Sequence, residues 1–318
     1  MSVNTPGKTF FAGKVPVRVL KFGGSSVGDA QRIRRVAEIV RKATRRRRII
    51  VVVSALARVT NTLEQMILDR QTDRAALLLT LYRRHVDTAR ELLSPDELAR
   101  YRSSLGDQLA VILPSLRRLR RGEQTRFDEE AVLAAGERFS VPLVAACLRD
   151  SGLDAVPVDG ATLIRKALGE SDSETPGVDG RRTDDLIRSW YAELPSDRVP
   201  VVSGYVASSD CGHTVTLGRG GSDYSASLIA SALGADLLER WTSVDGLYTG
   251  DPGTDRFAAR YRLLRLDDAE VLNRSGGLGM HRHTIAPLIS SRIPLRVRSF
   301  DSTDPGTLVI PSTSTTTC

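Results

Sequence analysis

The chain of 318 residues contains little cysteine, few aromatic residues and no long apolar run. Its three cysteines, Cys147, Cys211 and Cys318, lack metal-ligand spacing, which favours a reducing cytoplasm over a disulfide-stabilised secreted protein. Because no apolar run reaches about eighteen residues, we predict no membrane span. Residues 1–14 lack the apolar core of a secretion signal and are predicted to form a flexible tail.

Lysine is also scarce, so the net charge of +7 is carried almost entirely by arginine. The basic residues are scattered among acidic ones, and the only dense run, Arg45 to Arg48, is predicted to be a solvated turn. With few aromatics and no recognised nucleic-acid-binding motif, the sequence gives no reason to expect a nucleic-acid partner.

Alternating strand and helix patterns predict an α/β fold in which a mainly parallel sheet carries helices on both faces. Ligands of such sheets bind at the carboxyl ends of the strands. The predicted strands are Val17–Lys21, Ile49–Ser54, Ala155–Asp159, Val199–Val206, Leu237–Trp241 and Leu295–Ser299.

The stretch from Asn61 to Gly122 shows no strand pattern and is predicted to form a helical hairpin over residues 62–121. A stripe of Leu77, Leu78, Leu81 and His85 marks its first helix, and the second is predicted over Asp96 to Leu119. His85 is interpreted as a partly buried helix residue and not as a ligand.

A glycine-rich segment, Thr216-Leu-Gly-Arg-Gly-Gly-Ser-Asp-Tyr-Ser-Ala226, connects a predicted strand to the predicted helix Ala226–Leu233. Exposed N–H groups at such a turn, together with the helix dipole, favour an anion. Arg219 adds a planar fork for a carboxylate or phosphate, and Asp223 adds an acceptor. The alternative is a simple glycine turn with a surface arginine and a capping aspartate.

A second strand ends in the same way, at Lys21-Phe-Gly-Gly-Ser-Ser-Val27, before a helix predicted over Asp29 to Lys42 with Asp29 as its N-cap. Gly23 and Gly24 can form an anion-binding nest beside Lys21. Two such turns in one α/β chain predict a single site shared between two lobes.

Five segments in this order resemble the aspartate kinases of the amino-acid kinase superfamily, and the resemblance extends from Val17 to Pro311. They are Lys21–Val27, Val53–Asn61, Gly136–Ser140, Leu217–Tyr224 and Val244–Pro252. The resemblance implies a three-layer αβα sandwich (the amino-acid kinase fold) with a substrate lobe over residues 15–206 and a nucleotide lobe over 207–311. Residues 312–318 are predicted to be a disordered tail.

The resemblance also assigns roles to individual residues, with ATP and Mg²⁺ as cofactors and no metal site made by the protein itself. The implied catalytic residues are Lys21, Asp223 and Arg282. The implied substrate-binding residues are Ser54, Thr60, Glu137, Tyr205, Arg219 and Ser222. The implied nucleotide-binding residues are Gly23, Gly24, Ser25, Thr242, Ser243, Tyr248 and Asp251.

The nucleotide segment departs from the family pattern. Ser243 replaces an aspartate, Gly253 an arginine and Leu278 a lysine, and no lysine follows Lys166 anywhere in the chain. The family lysine meets the ATP phosphates, so Arg282 is the best candidate replacement, followed by Arg274. On the acceptor side, Arg58 stands where relatives often have glycine, and Tyr205 where they have phenylalanine.

The main expectation is ATP-dependent phosphorylation of the side-chain carboxylate of L-aspartate to 4-phospho-L-aspartate by a cytoplasmic homodimer. One alternative is a diverged kinase for another small amino or carboxylic acid, and a second is a non-catalytic kinase-like binding subunit. Most aspartate kinases continue into a pair of ferredoxin-like regulatory domains after the segment that ends here at Ile310. The resemblance therefore implies no inhibition by lysine or threonine through such domains.

Overall fold

The computed structural model describes residues 15–45, 47–69, 71–167, 177–250 and 253–312, so the predicted tails fall outside the description except for Ser312. The strands are β1 (Val17–Phe22), β2 (Arg48–Val53), β3 (Ala155–Val158), β4 (Arg165–Lys166), β5 (Val199–Ser203), β6 (Val206–Ser209), β7 (Thr214–Thr216), β8 (Leu237–Thr242), β9 (Leu263–Arg265), β10 (Leu295–Ser299) and β11 (Thr307–Ile310).

The α-helices in the described ranges are α1 (Ala30–Ala43), α2 (Val59–Leu68), α3 (Arg74–Leu92), α4 (Pro95–Arg121), α5 (Arg126–Asp150), α6 (Gly180–Glu193), α7 (Gly221–Leu233), α8 (Leu266–Arg274) and α9 (Ile285–Ser291). Several begin where the sequence supplies a cap. The Asp29 carboxylate accepts from the Arg32 N–H, which confirms the predicted N-cap of α1.

The central sheet has eight strands in the order β3-β5-β2-β1-β8-β10-β11-β9. All neighbouring strands are parallel except β10 and β11, which are antiparallel. A smaller sheet joins β4, β6 and β7. The predicted mainly parallel sheet is therefore confirmed.

Side chains alternate across the sheet and divide the core into two clusters, one on each face. Leu20 packs in the cluster that includes Ile33 of α1 and Leu143 of α5. Its neighbour Val19 packs in the opposite cluster with Ile229 of α7. Helices thus cover both faces, as predicted, and residue parity along β1 decides which face a side chain reaches.

The predicted strand Val199–Val206 was wrong as a single element, because the chain breaks between β5 and β6. A Cβ on Gly204 would lie 2.6 Å from the Ser222 Cβ, and Tyr205 adopts a left-handed φ of 67°. This turn brings Tyr205 against the start of α7. That helix begins at Gly221, earlier than the predicted Ala226, because Gly220 turns the backbone with φ 76°.

Three helices, α2, α3 and α4, occupy the stretch predicted to form a helical hairpin. His85 is fully buried, more than predicted, and its Nδ1 lies 2.7 Å from the Leu81 carbonyl oxygen. Arg48 starts β2 and does not belong to the predicted turn. The short strands β4, β7, β9 and β11 were not predicted, because two to four residues carry little periodicity.

Helix α5 is long and apolar enough to cross a membrane by length and composition alone. However, 78% of its most apolar window is buried inside the protein. It packs against α4 and the sheet, as a core helix does, and it carries the buried Glu137.

Gly204 is expected to be intolerant of a side chain, because an added Cβ would also approach the Ser222 Cα to 2.8 Å. Gly204→Ala should lower the free energy of unfolding by roughly 1–3 kcal/mol through overpacking. Gly106→Ala is the matched control: Gly106 lies within α4 with nothing within 4 Å of an added Cβ. It should stabilise the protein by about 0.5–1 kcal/mol. Urea denaturation of both variants checks this, and equal effects would contradict it.

Candidate active site

Lys21 and Asp223 form a buried ion pair where β1 meets the start of α7. The Lys21 Nζ lies 2.6 Å from the Asp223 Oδ1, and the two residues are only 8% and 5% exposed. Gly23 lies beside the ammonium, since an added Cβ there would be 3.6 Å from Nζ. Two turns distant in sequence therefore contribute to one charged centre.

Arg240 completes this centre and was missed by the sequence interpretation. Its Nε lies 3.1 Å from the Asp223 Oδ2, and its Nη2 donates to the Gly279 carbonyl oxygen at 3.1 Å. Arg240 pairs with Lys21 across the β1–β8 ladder, so both side chains leave the same face of the sheet. The available signal was the charged pair Glu239-Arg240 within the predicted strand Leu237–Trp241, which begins and ends with apolar residues.

The electrostatics of this centre favour an ionised Asp223. Burial opposes the ionisation of Asp223, but the adjacent Arg240 and Lys21 outweigh it and hold its pKa below the ordinary value. Burial lowers the pKa of Lys21, and the charge of Asp223 opposes that shift. One carboxylate therefore compensates two cations, which leaves the cluster attractive to an anion.

Glu137 lies in α5 and faces the loop that follows β2. Its Oε1 accepts from the Ser54 Oγ at 3.2 Å and from the Ala55 N–H at 3.1 Å, whereas its buried Oε2 has no partner in the described part of the chain. Close packing at Gly136, where a Cβ would lie 2.8 Å from the Ala55 Cβ, holds the helix against this loop. Burial raises the pKa of Glu137 to about 7, although these hydrogen bonds and Lys21 oppose the shift.

Tyr205 lies near Glu137 at the turn after β5. Burial raises the pKa of its hydroxyl to about 12, and the charge of Glu137 adds to this effect. The Tyr205 N–H donates to the Ser225 Oγ at 3.0 Å, which fixes the turn against α7. Ser222 is buried in the first turn of that helix, and Arg219 is exposed on the glycine turn before it.

Ser54, Thr60 and Arg58 belong to the loop and helix start after β2. Thr60 is half-buried in the first turn of α2, and the exposed Arg58 precedes that helix with a left-handed φ of 66°. The Arg84 Nη1 donates to the Ala57 carbonyl oxygen at 2.6 Å and braces this turn. Arg58 therefore belongs to the same connection as Ser54, whose Oγ contacts Glu137.

The residues predicted to bind nucleotide occupy loops at the carboxyl ends of β1 and β8. Gly23 precedes a short 3₁₀ turn that contains Gly24 and the exposed Ser25. Thr242 ends β8, and the exposed Ser243 follows it. The Tyr248 hydroxyl donates to the Asp245 carboxylate. Asp251 lies outside the described residues.

The segment around Arg282 packs against the glycine turn before α7. A Cβ on Gly220 would lie 3.1 Å from the His281 backbone nitrogen, and the His281 ring stacks on Tyr224 with centroids 5.2 Å apart. Burial lowers the pKa of His281 to about 4, and the nearby charges of His283 and Arg282 add to the shift, opposed by a bond to Leu217 and by Asp223. Arg282 is exposed, whereas Leu278 is buried in the apolar cluster around α7.

Among the residues that the structure describes, no group of three or more His, Cys, Asp or Glu side chains is arranged to hold a metal ion. The centre is instead cationic. It suits an anionic ligand.

Comparisons with known proteins identify the family of the chain. A model of the amino acid kinase family matches residues 16–299, so the chain belongs to the amino acid kinase family. Within it, the chain is similar to aspartokinases. It is 31% identical over 94% of its length to the aspartokinase of Chlamydia trachomatis, of which it covers 65%.

It is also 30% identical over 92% of its length to the chloroplastic bifunctional aspartokinase/homoserine dehydrogenase 1 of Arabidopsis thaliana, of which it spans only 32%. Among solved structures, Escherichia coli aspartokinase III in complex with aspartate and ADP (R-state) matches with a TM-score of 0.84 and 28% identity. This match covers 94% of the present chain and 65% of the other. The fold is thus the amino-acid kinase fold.

Glu137 should make stability depend on pH. Because its pKa rises from 4.5 to about 7 on folding, the folded chain binds more protons between these values, and the free energy of unfolding falls as pH rises through them. Glu137→Gln should remove this fall, on the order of 1–3 kcal/mol between about pH 5 and pH 8. Urea unfolding across this range measures it, with the exposed Glu64→Gln as control. Parallel pH curves for wild type and Glu137→Gln would contradict the assignment.

Proposed function

We propose that this protein transfers the γ-phosphoryl group of ATP to the side-chain carboxylate of L-aspartate, giving 4-phospho-L-aspartate and ADP. The observation that carries the proposal is the centre of Lys21, Asp223 and Arg240 at the end of β1 and β8, with the Glu137 carboxylate close enough to act on Lys21. Aspartate and ADP are the ligands named for the similar E. coli enzyme.

The reaction joins two anions, so neutralising charge matters more than proton transfer. A carboxylate oxygen of aspartate attacks the γ-phosphorus while the bond to the ADP oxygen breaks. That carboxylate is already ionised near neutral pH, so no general base is required. Lys21 and Arg240 together carry one positive charge more than Asp223 balances, and this excess can stabilise the transferring phosphoryl group.

On the acceptor side, Glu137 fits the ammonium group of an amino acid. Its Oε2 is a buried acceptor without a described donor, and leaving such an atom unpaired costs free energy. Arg219 would bind the α-carboxylate, with Ser54, Thr60 and Ser222 as hydroxyl donors and Tyr205 as a wall of the pocket. In this scheme Asp223 orients Lys21.

On the nucleotide side, the phosphates would lie against the turn formed by Gly23, Gly24 and Ser25. The nucleoside would lie among the residues that follow β8, which are Thr242, Ser243, Tyr248 and Asp251. Mg²⁺ would arrive with ATP as a complex, in keeping with a centre that offers cations and not a cluster of carboxylates. Arg282 would add positive charge from the segment against Gly220. A cytoplasmic homodimer remains part of the proposal.

A second candidate function is phosphorylation of a different small acid. Arg58 motivates this alternative. Its backbone is left-handed, and its side chain would add a positive charge at the rim of the acceptor region. An acceptor larger or more acidic than aspartate could contact that charge. A screen of amino and carboxylic acids separates the two, since aspartate would then be a poor acceptor beside the true substrate.

A coupled assay should detect ADP formation that depends on L-aspartate, ATP and Mg²⁺. Lys21→Met should reduce kcat by about 10²- to 10³-fold or more, because a buried charge next to the transferring group is lost. Binding of an ATP analogue, measured by calorimetry, controls for misfolding of the variant. The absence of ADP formation with aspartate across nucleotides and metals would overturn the proposal, and intact nucleotide binding without turnover would indicate a binding subunit.

Arg240→Met should also lower kcat, by roughly 10- to 10³-fold, if its charge acts on the phosphoryl group. Arg240→Lys should recover part of the loss, because it keeps the charge but cannot contact both Asp223 and the Gly279 carbonyl oxygen as the guanidinium does. Arg83→Met, which removes an exposed arginine on α3, is the matched control and should leave kcat unchanged. Equal activity of Arg240→Met and wild type would exclude Arg240 from the reaction.

A further inference from the structure

A cleft of about 550 Å³ lies on the α1 side of the sheet, and Glu239 and Trp241 line part of its wall. These residues flank Arg240 on β8, so strand alternation directs them away from the face that holds Asp223. Trp241 accordingly packs in the apolar cluster of α1 and α5. The cleft is therefore separate from the proposed active site.

The charge on the walls of this cleft is strongly unbalanced. Six cationic side chains line it against the single carboxylate of Glu239. The cations are Arg18, Arg35, Lys42, Arg45, Arg47 and Arg298.

Few of these cations are compensated. Arg18 pairs with Glu239 at 3.0 Å, and Arg35 pairs with Glu38 at 2.9 Å on the surface. Lys42, Arg45 and Arg47 have no ion pair within the described ranges. Burial lowers the pKa of Arg18, and the charge of Glu239 opposes this shift. The nearby charges of Arg47 and Arg296 lower the pKa further.

Hydrogen-bond donors are also in excess. The Trp241 Nε1, the Arg18 Nε and the Arg298 Nε are buried and have no acceptor in the described part of the chain. Trp241 is only 7% exposed, and the Arg298 guanidinium stacks on its ring at 4.4 Å from the centroid. Buried donors without acceptors are uncommon in folded proteins, and a bound ligand or an ordered water can supply the acceptor.

We propose that this cleft is a second binding site, distinct from the proposed active site, and that its ligand is an oligophosphate anion. Several cations spread over one concave surface suit a ligand with several negative charges better than a single carboxylate. The volume lies in the range of small-molecule sites. The ligand's phosphates would contact Arg47, Lys42 and Arg298, with Trp241 beneath them.

The site does not depend on kinase activity, so binding can be tested directly with inorganic tripolyphosphate. A Trp190→Phe variant leaves Trp241 as the single tryptophan of the chain. Its fluorescence should change saturably with tripolyphosphate, and the affinity should fall as salt rises. In this background, Lys42→Ala/Arg47→Ala should weaken binding at least about tenfold, the loss expected of one to two charge-assisted contacts.

The matched control is Arg83→Ala/Arg102→Ala, which removes the same charge from exposed helical positions outside the cleft and should alter affinity less than about twofold. Lys21→Met tests location: it should leave the Trp241 signal and its affinity unchanged. Loss of binding in Lys21→Met, equal loss in the control, or no saturable response in the Trp190→Phe protein would each overturn the proposal.

Comparing ligands identifies the source of the phosphates. If ATP and tripolyphosphate compete for the Trp241 signal in Lys21→Met whereas adenosine does not, the cleft recognises the phosphate chain, as proposed. A response to adenosine alone would contradict this assignment. Inorganic phosphate should bind much more weakly than tripolyphosphate, since it engages fewer of the cations.

Discussion

The organisation of this protein depends on a single buried carboxylate. Asp223 binds Lys21 from β1 and Arg240 from β8, and Arg240 continues to the Gly279 carbonyl oxygen. Without Asp223, two cations would be buried beside each other without compensation, at a cost of several kcal/mol. The Asp223 carboxylate therefore stabilises the two buried cations. It also links β1, β8, α7 and the segment around residue 279 through one set of contacts.

Glycines make that point accessible. The left-handed Gly220 lets α7 begin early, so that Asp223 falls in its first turn, where the helix dipole favours a carboxylate. Gly204 and Tyr205 break the preceding strand and press the turn against Ser222. The strained Tyr205 backbone is the sort of feature that clusters at functional sites. Backbone shape here determines where charge can be placed.

Much of this could be predicted from sequence, because the glycine turns that carry Lys21 and Asp223 are local patterns. Arg240 could not, since its role arises from pairing between β1 and β8, which are more than two hundred residues apart in the chain. The break at Gly204 also depends on a distant contact. At position 278, the sequence indicated that leucine replaces the lysine of the family pattern. The structure shows that the Leu278 side chain is buried in the apolar cluster around α7. The roles of Arg282 and the lobe boundary at residue 206 stay predictions.

The unmatched oxygen of Glu137 has a consequence for ligand uptake. Near neutral pH, a fraction of the protein molecules carries a proton on the Glu137 carboxyl, because its pKa is about 7. A cationic ligand group that settles against it favours the ionised form and so expels that proton into the buffer. Ligand binding and proton release are then linked. Below about pH 7, the affinity for a ligand with an ammonium group would fall by up to about tenfold per pH unit.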